Sequence, residues 1–148
     1  MGLFNNHFSG DLPEVLYLPK LRTLDLGNNV FWGTIPWFWF DGDSALEGLE
    51  GLFLDDNYLT GPVPHTWGRL EKIESIVLSH NQLTGEFPGK FQSDVLTTIE
   101  IQNNEIRKVS KDLCKLSVFR GDGPLSTLRT DCGTCSCAVL CGQGNCVP

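Results

Sequence analysis

Apolar residues recur along this chain in a fixed frame built around an asparagine. Asn6, Asn29, Asn57, Asn81 and Asn104 follow one another at intervals of 23, 28, 24 and 23 residues. Three and five residues before each stand Met1/Leu3, Leu24/Leu26, Leu52/Leu54, Ile76/Leu78 and Ile99/Ile101. That local period of two predicts a short strand with one buried face. Two residues after each Asn comes Phe8, Phe31, Leu59, Leu83 or Ile106, expected to point into the core. Units of this length cannot bury an apolar face alone, so the pattern predicts stacked coils sharing one core.

The Asn is a polar residue inside an apolar frame. A buried amide must be hydrogen-bonded or it costs stability. The regular slot predicts a structural ladder of Asn6, Asn29, Asn57, Asn81 and Asn104, each bonding backbone groups of its own turn and of the next coil. The alternative, five solvated turn residues, leaves the regularity unexplained.

Four repeats carry a second signature: Ser9-Gly10-Asp11-Leu12-Pro13, Trp32-Gly33-Thr34-Ile35-Pro36, Thr60-Gly61-Pro62-Val63-Pro64 and Thr84-Gly85-Glu86-Phe87-Pro88. Gly permits a sharp backbone bend. Pro then stops strand pairing and can open a helical turn. The next core slot holds Leu16, Trp39, Trp67 or Phe91. The fifth repeat, from Asn104 to Ser110, lacks both Gly and Pro and reads as the last coil. The longest interval carries an insertion around residues 40–45, expected as a loop on the convex or lateral side.

In these residues the chain resembles the plant-type leucine-rich-repeat family, L-x-x-L-x-L-x-x-N-x-L-[ST]-G-x-[IV]-P, over roughly residues 1–116. The resemblance implies an α/β solenoid: a right-handed superhelix with a concave parallel β-sheet and short helical or 3-10 turns on the convex side. About five repeats, the first truncated, would occupy 1–116, and 117–148 would form a Cys-rich cap or tail. Family members are mostly extracellular: ectodomains of receptor-like proteins and receptor kinases, and secreted inhibitors. The tail, with Asp131-Cys132 and then Cys135-Ser136-Cys137, is also similar to the caps of leucine-rich-repeat proteins of diatoms and related algae.

The net charge of −7 over 148 residues argues against nucleic acid, which wants a basic stripe. No apolar run is long enough to span a bilayer, since Gly33 and Pro36 interrupt the aromatic stretch from Phe31 to Phe40. All six cysteines, Cys114, Cys132, Cys135, Cys137, Cys141 and Cys146, fall in the last third. An even, clustered set after a repeat array reads as a disulfide-bonded cap in an oxidising compartment, each bridge contributing about 2–4 kcal/mol. The competing reading is a metal-binding tail. Cys132-Gly133-Thr134-Cys135 has zinc-site spacing, but no second such pair or nearby His accompanies it.

The strand pattern assigns the outward face of the sheet. Its candidate ligand-binding residues are Phe4, Asp25, Phe53, Asp55, Asp56, Val77, Ser79, His80, Glu100 and Gln102. Acidic groups dominate it, with Arg22 the one basic residue identified there. Phe4, Phe53 and Val77 are apolar where a merely solvated strand would be polar. Aromatics ringed by polar groups are typical of interaction patches, and an acidic rim favours a basic partner. Trp37 and Phe38 fall in partly exposed slots. Trp37 could stack on a sugar, though packing against the nearby insertion is the better reading.

Catalysis has little support. His7, His65 and His80 occupy different slots, and the adjacent Asp55 and Asp56 face different ways on a strand, so they make no acid/base pair. No cofactor or metal site is expected. The sequence therefore predicts a non-enzymatic recognition module of a secreted or cell-surface protein, binding a protein or peptide ligand by its concave sheet, with carbohydrate as a second ligand class. The alternative is a structural or adhesion solenoid without a discrete ligand. No signal peptide is visible and the first coil has no cap. The chain therefore reads as a fragment whose first coil, with Met1, Leu3, Phe8 and Leu12 at its edge, is covered by further repeats.

Overall fold

The computed structural model describes residues 1–14, 18–40, 46, 48–116, 124–131 and 146–147. The expected core residue Leu16, the insertion at 41–45 and most of the Cys-rich tail lie outside them. Of Cys114 and Cys146 only the backbone is described, so the disulfide expectation also lies outside.

Each coil carries two short strands. The first strand follows the L-x-L positions: β2 (Thr23–Asp25), β4 (Gly51–Phe53), β6 (Ser75–Val77) and β8 (Thr98–Glu100). They pair in parallel, and every pairing aligns equivalent slots, as in Leu24 with Leu52, Leu52 with Ile76 and Ile76 with Ile99. Two more strands extend this concave sheet, β10 (Thr127–Asp131) and β11 (Cys146–Val147), in the order β11-β10-β8-β6-β4-β2. β10 joins β8 with Leu128 against Ile99, and Leu125 and Leu128 are fully buried. Part of the segment expected to be a cap thus continues the sheet.

The second strand of each coil runs through the Gly slot: β1 (Ser9–Asp11), β3 (Val30–Thr34), β5 (Tyr58–Pro62), β7 (Gln82–Phe87) and β9 (Glu105–Val109). They form a second parallel sheet in the order β1-β3-β5-β7-β9. Gly10, Gly33, Gly61 and Gly85 all have positive φ, from 75° to 109°. The side chain after the Gly of one coil also lies over the Gly of the next. A Cβ at Gly61 would stand 2.9 Å from Thr34 Cγ2, and one at Gly33 would collide with the Asp11 carboxylate. Both the left-handed backbone and the close approach exclude larger residues. β3, β5 and β7 end one or two residues before Pro36, Pro64 and Pro88, as the missing N–H of Pro requires. Short 3-10 helices follow Pro36 and Pro64 at Trp37–Phe40 and His65–Arg69, and another follows β9 at Lys111–Leu116.

Between these layers the apolar slots stack into columns. Leu24, Leu52, Ile76, Ile99 and Leu128 are fully buried, as are Leu59, Leu83 and Trp67; Trp39 is nearly so, and its indole N–H donates to Pro13 O at 2.9 Å. Phe91 is half-buried and stacks on Phe87, with ring centroids 6.2 Å apart. At the N-terminal edge Met1 and Phe8 are exposed and Leu3 is half-buried, whereas Leu12 is buried.

From Asn29 on, each Asn of the ladder slot reaches its own turn and the preceding coil, where the sequence pattern predicts the next coil. Asn57 Nδ2 donates to Leu54 O and Asp55 O in its own turn and to Leu26 O in the preceding coil, at 3.0–3.2 Å. Its Oδ1 accepts the Phe31 N–H of that coil at 2.9 Å. Asn29, Asn81 and Asn104 repeat the arrangement, accepting from Phe8, Leu59 and Leu83. Asn6 donates to Leu3 O and Phe4 O of its own turn. Asn57→Ala orphans a buried N–H and the carbonyls it served. We expect a loss of about 2–4 kcal/mol, read as a lower urea midpoint, and a loss below about 0.5 kcal/mol would contradict the ladder's role.

Candidate functional site

The concave sheet turns three rows of side chains outward. The row between the buried leucines holds Gly2, Asp25, Phe53, Val77, Glu100 and Arg129, set side by side by the strand register. Two residues further along each coil stand Phe4, Gly27, Asp55, Ser79, Gln102 and Asp131. The third row is Asn5, Asn28, Asp56, His80 and Asn103.

The third row has a backbone explanation. All five residues have positive φ, between 50° and 58°. Asn, Asp and His tolerate this left-handed region better than most residues. The choice of Asp56 and His80 therefore answers first to the turn, although both remain exposed. Side chains in this row also bond across coils: Asn28 Nδ2 donates to Asn5 Oδ1 at 2.7 Å, and the Asn103 amide lies 3.1 Å from a ring nitrogen of His80.

Two of the expected contact residues are withdrawn from the surface. Ser79 and Gln102 are 5% and 8% exposed. A short side chain such as Ser79, on a sheet whose strands lie about 4.8 Å apart, is easily overhung by longer neighbours, whereas the longer Gln102 is itself packed down on the sheet. Gln102 Oε1 is buried without a hydrogen-bond partner among the described residues, which is costly for a carbonyl oxygen. The other expected residues remain accessible: Phe4, Asp56 and His80 are exposed, while Asp25, Phe53, Asp55, Val77 and Glu100 are half-buried.

Two glycines shape the face. A Cβ at Gly27 would lie 2.8 Å from Asp55 Oδ1 and 3.1 Å from Phe4 Cδ2, so the Phe4 ring and the Asp55 carboxylate converge over it. A Cβ at Gly51 would lie 2.8 Å from Phe53 Cε2, so the Phe53 ring rests on its own strand above Gly51. Glycine lets these rings sit low against the backbone. The period-two pattern flags both positions as outward but does not reveal this packing.

The charges are unevenly compensated. Arg22 pairs with Glu50, and Arg129, which β10 brings to the face, pairs with Glu100 at 3.4 Å. The Asp131 carboxylate accepts the Asn103 and Asn104 N–H groups at 2.8 and 3.2 Å, whereas the equivalent N–H groups of earlier coils donate to backbone carbonyls of the following coil. Asp25 Oδ1 accepts the Gly27 N–H at 3.2 Å. Asp25, Asp55 and Asp56 have no salt-bridge partner among the described residues. Burial pushes the Asp55 carboxyl above its ordinary value. A backbone hydrogen bond opposes that shift, and the nearby Asp56, Asp25 and Glu100 charges add to it.

Among the described residues no group of three or more His, Cys, Asp and Glu could hold a metal ion. No helix among them is long and apolar enough to cross a membrane.

Residues 19–83 match the family described as leucine rich repeat. Receptor-like protein 54 of Arabidopsis thaliana is 41% identical over 71 residues, 47% of this chain and 9% of that protein. The chain spans about a tenth of the length of the curated relatives it matches. Among solved structures, the Arabidopsis receptor kinase HAESA, bound to the peptide hormone IDA and the co-receptor SERK1, superposes with a TM-score of 0.65 at 29% identity. That match covers 71% of this chain and 17% of HAESA. The BIR2 ectodomain of Arabidopsis thaliana covers 98% of this chain and 70% of its own length, with a TM-score of 0.73; at 24% identity it speaks for the fold alone.

The Asp55 shift predicts a pH dependence. A carboxyl whose folded pKa lies above its unfolded value favours folding fully below the unfolded value, and that contribution is lost as pH rises through the folded value. At neutral pH the charged Asp55 therefore works against the fold. Asp55→Asn should raise the melting temperature at pH 7, with the gain shrinking as pH falls toward the ordinary carboxylate range. A gain that grows on acidification would contradict this assignment.

Proposed function

We propose that this chain, a leucine-rich-repeat solenoid similar to the ectodomains of plant receptor proteins, is a recognition module that binds a basic peptide or protein segment on its concave sheet. The module performs no catalysis of its own. It works outside the cell or at its surface, as its receptor-like relatives suggest. The observation that carries the reading is the juxtaposition of uncompensated acids with low-lying aromatic rings. The Phe53 ring edge lies over Gly51, flanked in register by Asp25. Phe4 and Asp55 converge over Gly27. Rings beside carboxylates suit a Lys or Arg side chain, whose charge meets the carboxylates while its stem or guanidinium lies on the ring. Recognition of peptide ligands by the HAESA ectodomain is consistent with this use of the scaffold.

A structural or adhesion role is the second reading, and the second sheet favours it. Val30, Trp32 and Tyr58 are exposed there, with Trp32 directly opposite Tyr58, and Trp37 is exposed on the following turn. Such aromatics could pack on a neighbouring surface or on a sugar.

The two readings separate by selection from a random peptide library displayed on phage. The concave-sheet reading expects enrichment of Lys- or Arg-containing peptides. Binding should fall about tenfold or more for Phe53→Ala and for the Asp25→Asn/Asp55→Asn pair, and it should weaken with salt. Enrichment of neutral or acidic peptides, or binding lost only on Trp32→Ala, would overturn it.

A further inference from the structure

Three of the chain's 11 cationic side chains, Lys20, Arg22 and Lys72, line one recess of about 330 Å³ with Pro19 and Gly48. In a protein of net charge −7 this concentration is notable. The repeat frame explains how it arises. Lys20, Gly48 and Lys72 each stand nine residues before a ladder Asn, on the turn that leads into the concave strand. They therefore occupy one slot on three successive coils. The turns at Lys20 and Gly48 are fixed alike, by N–H donation from Leu21 to Leu18 O at 2.8 Å and from Leu49 to Leu46 O at 3.0 Å. The outer lysines are two strand spacings apart, about 10 Å. Gly48 between them contributes no side chain, and that leaves the recess open. Nothing lies within 3.4 Å of where its Cβ would be, so the glycine is not required by close packing there.

We infer that this recess is an anion site, taking a multi-oxygen anionic group such as a carboxylate, sulfate ester or phosphate ester. Two lysines can close on such a group from opposite sides, and Arg22 presents a planar fork of donors at the mouth. Glu50 occupies Nη1 of Arg22, which leaves the other donors of the guanidinium for the anion. The inference stands apart from the concave-sheet reading. It requires neither Phe53 nor the aspartates.

The test is an amide-resolved NMR titration of the isotope-labelled chain with sodium sulfate and, separately, sodium acetate, at ionic strength held constant with sodium chloride. Saturating shifts centred on Lys20, Arg22, Gly48 and Lys72 are expected. Lys20→Gln/Lys72→Gln should weaken binding about three- to tenfold, the scale of two exposed ion pairs. Gly48→Gln retains every cation but fills the recess, and should weaken binding to a similar degree. Tighter sulfate binding would mark an ester as the natural group, and tighter acetate binding a carboxylate. Unsaturating shifts spread over all basic residues, or binding unchanged in Gly48→Gln, would overturn the proposal.

Discussion

The structure depends on the side-chain amide of the ladder Asn. A stack of short coils must turn its backbone sharply at every repeat, and those turns are buried between neighbours. The carbonyls after each L-x-L strand and the N–H two residues beyond the preceding coil's Asn would otherwise lack partners. One amide serves both: Asn81 reaches Leu78 O and Ser79 O behind it, Leu54 O below it, and the Leu59 N–H. No other side chain of that size offers two donors and an acceptor on one rigid plane. Because the bonds cross between coils, the ladder fixes their register. That register in turn sets which outward residues stand side by side.

Much of this was legible in the sequence because it repeats. The Asn slot, the buried pairs and the core positions of Trp39 and Trp67 follow from spacing alone. The second sheet was harder to read. The Gly at its centre signals a bend, and a bend is usually taken as the end of a strand. In the structure Gly33 and Gly61 bend within strands that remain paired, since their positive φ is compatible with parallel pairing on both sides. Burial alternates along Val30-Phe31-Trp32 and Tyr58-Leu59-Thr60, but in Val30-Phe31-Trp32 every residue is apolar, so that alternation is not visible in the sequence. β10 was hidden for a different reason. Leu125 and Leu128 keep the repeat frame, but Thr130 replaces the second leucine and no Asn follows.

The face itself was legible by direction more than by depth. A period of two says which way a side chain leaves the sheet, and Phe4, Asp25, Phe53 and Asp55 leave it as expected. It does not say how deeply a side chain packs among its neighbours, so the burial of Ser79 and Gln102 could not be read. Nor does it separate a residue chosen for contact from one chosen for its backbone. Asp56 and His80 sit where the turn demands positive φ, in a slot otherwise filled by Asn5, Asn28 and Asn103. Their charge and ring still shape the surface, but their presence alone is weak evidence for a ligand.

Charge on this solenoid is only partly sorted by slot. Lys20, Arg22 and Lys72 lie on the turn before the concave strand, with Glu50 and Glu74 in the same slot as Arg22, while Asp25, Asp55 and Asp56 lie on and just after the strand. Along one coil, Arg22 and Asp25 are three residues apart, about 10 Å of extended chain. Across coils the register sets no acid directly beside another: Asp25 stands by Phe53, Asp55 by Gly27 and Ser79, and Asp56 by Asn28 and His80, so these carboxylates act on one another from neighbouring slots. Asp25, Asp55 and Asp56 cannot escape one another without breaking the register that the Asn ladder holds. Burial is what chiefly raises the Asp55 carboxyl, and the charges of Asp56, Asp25 and Glu100, held in place by the register, add to it.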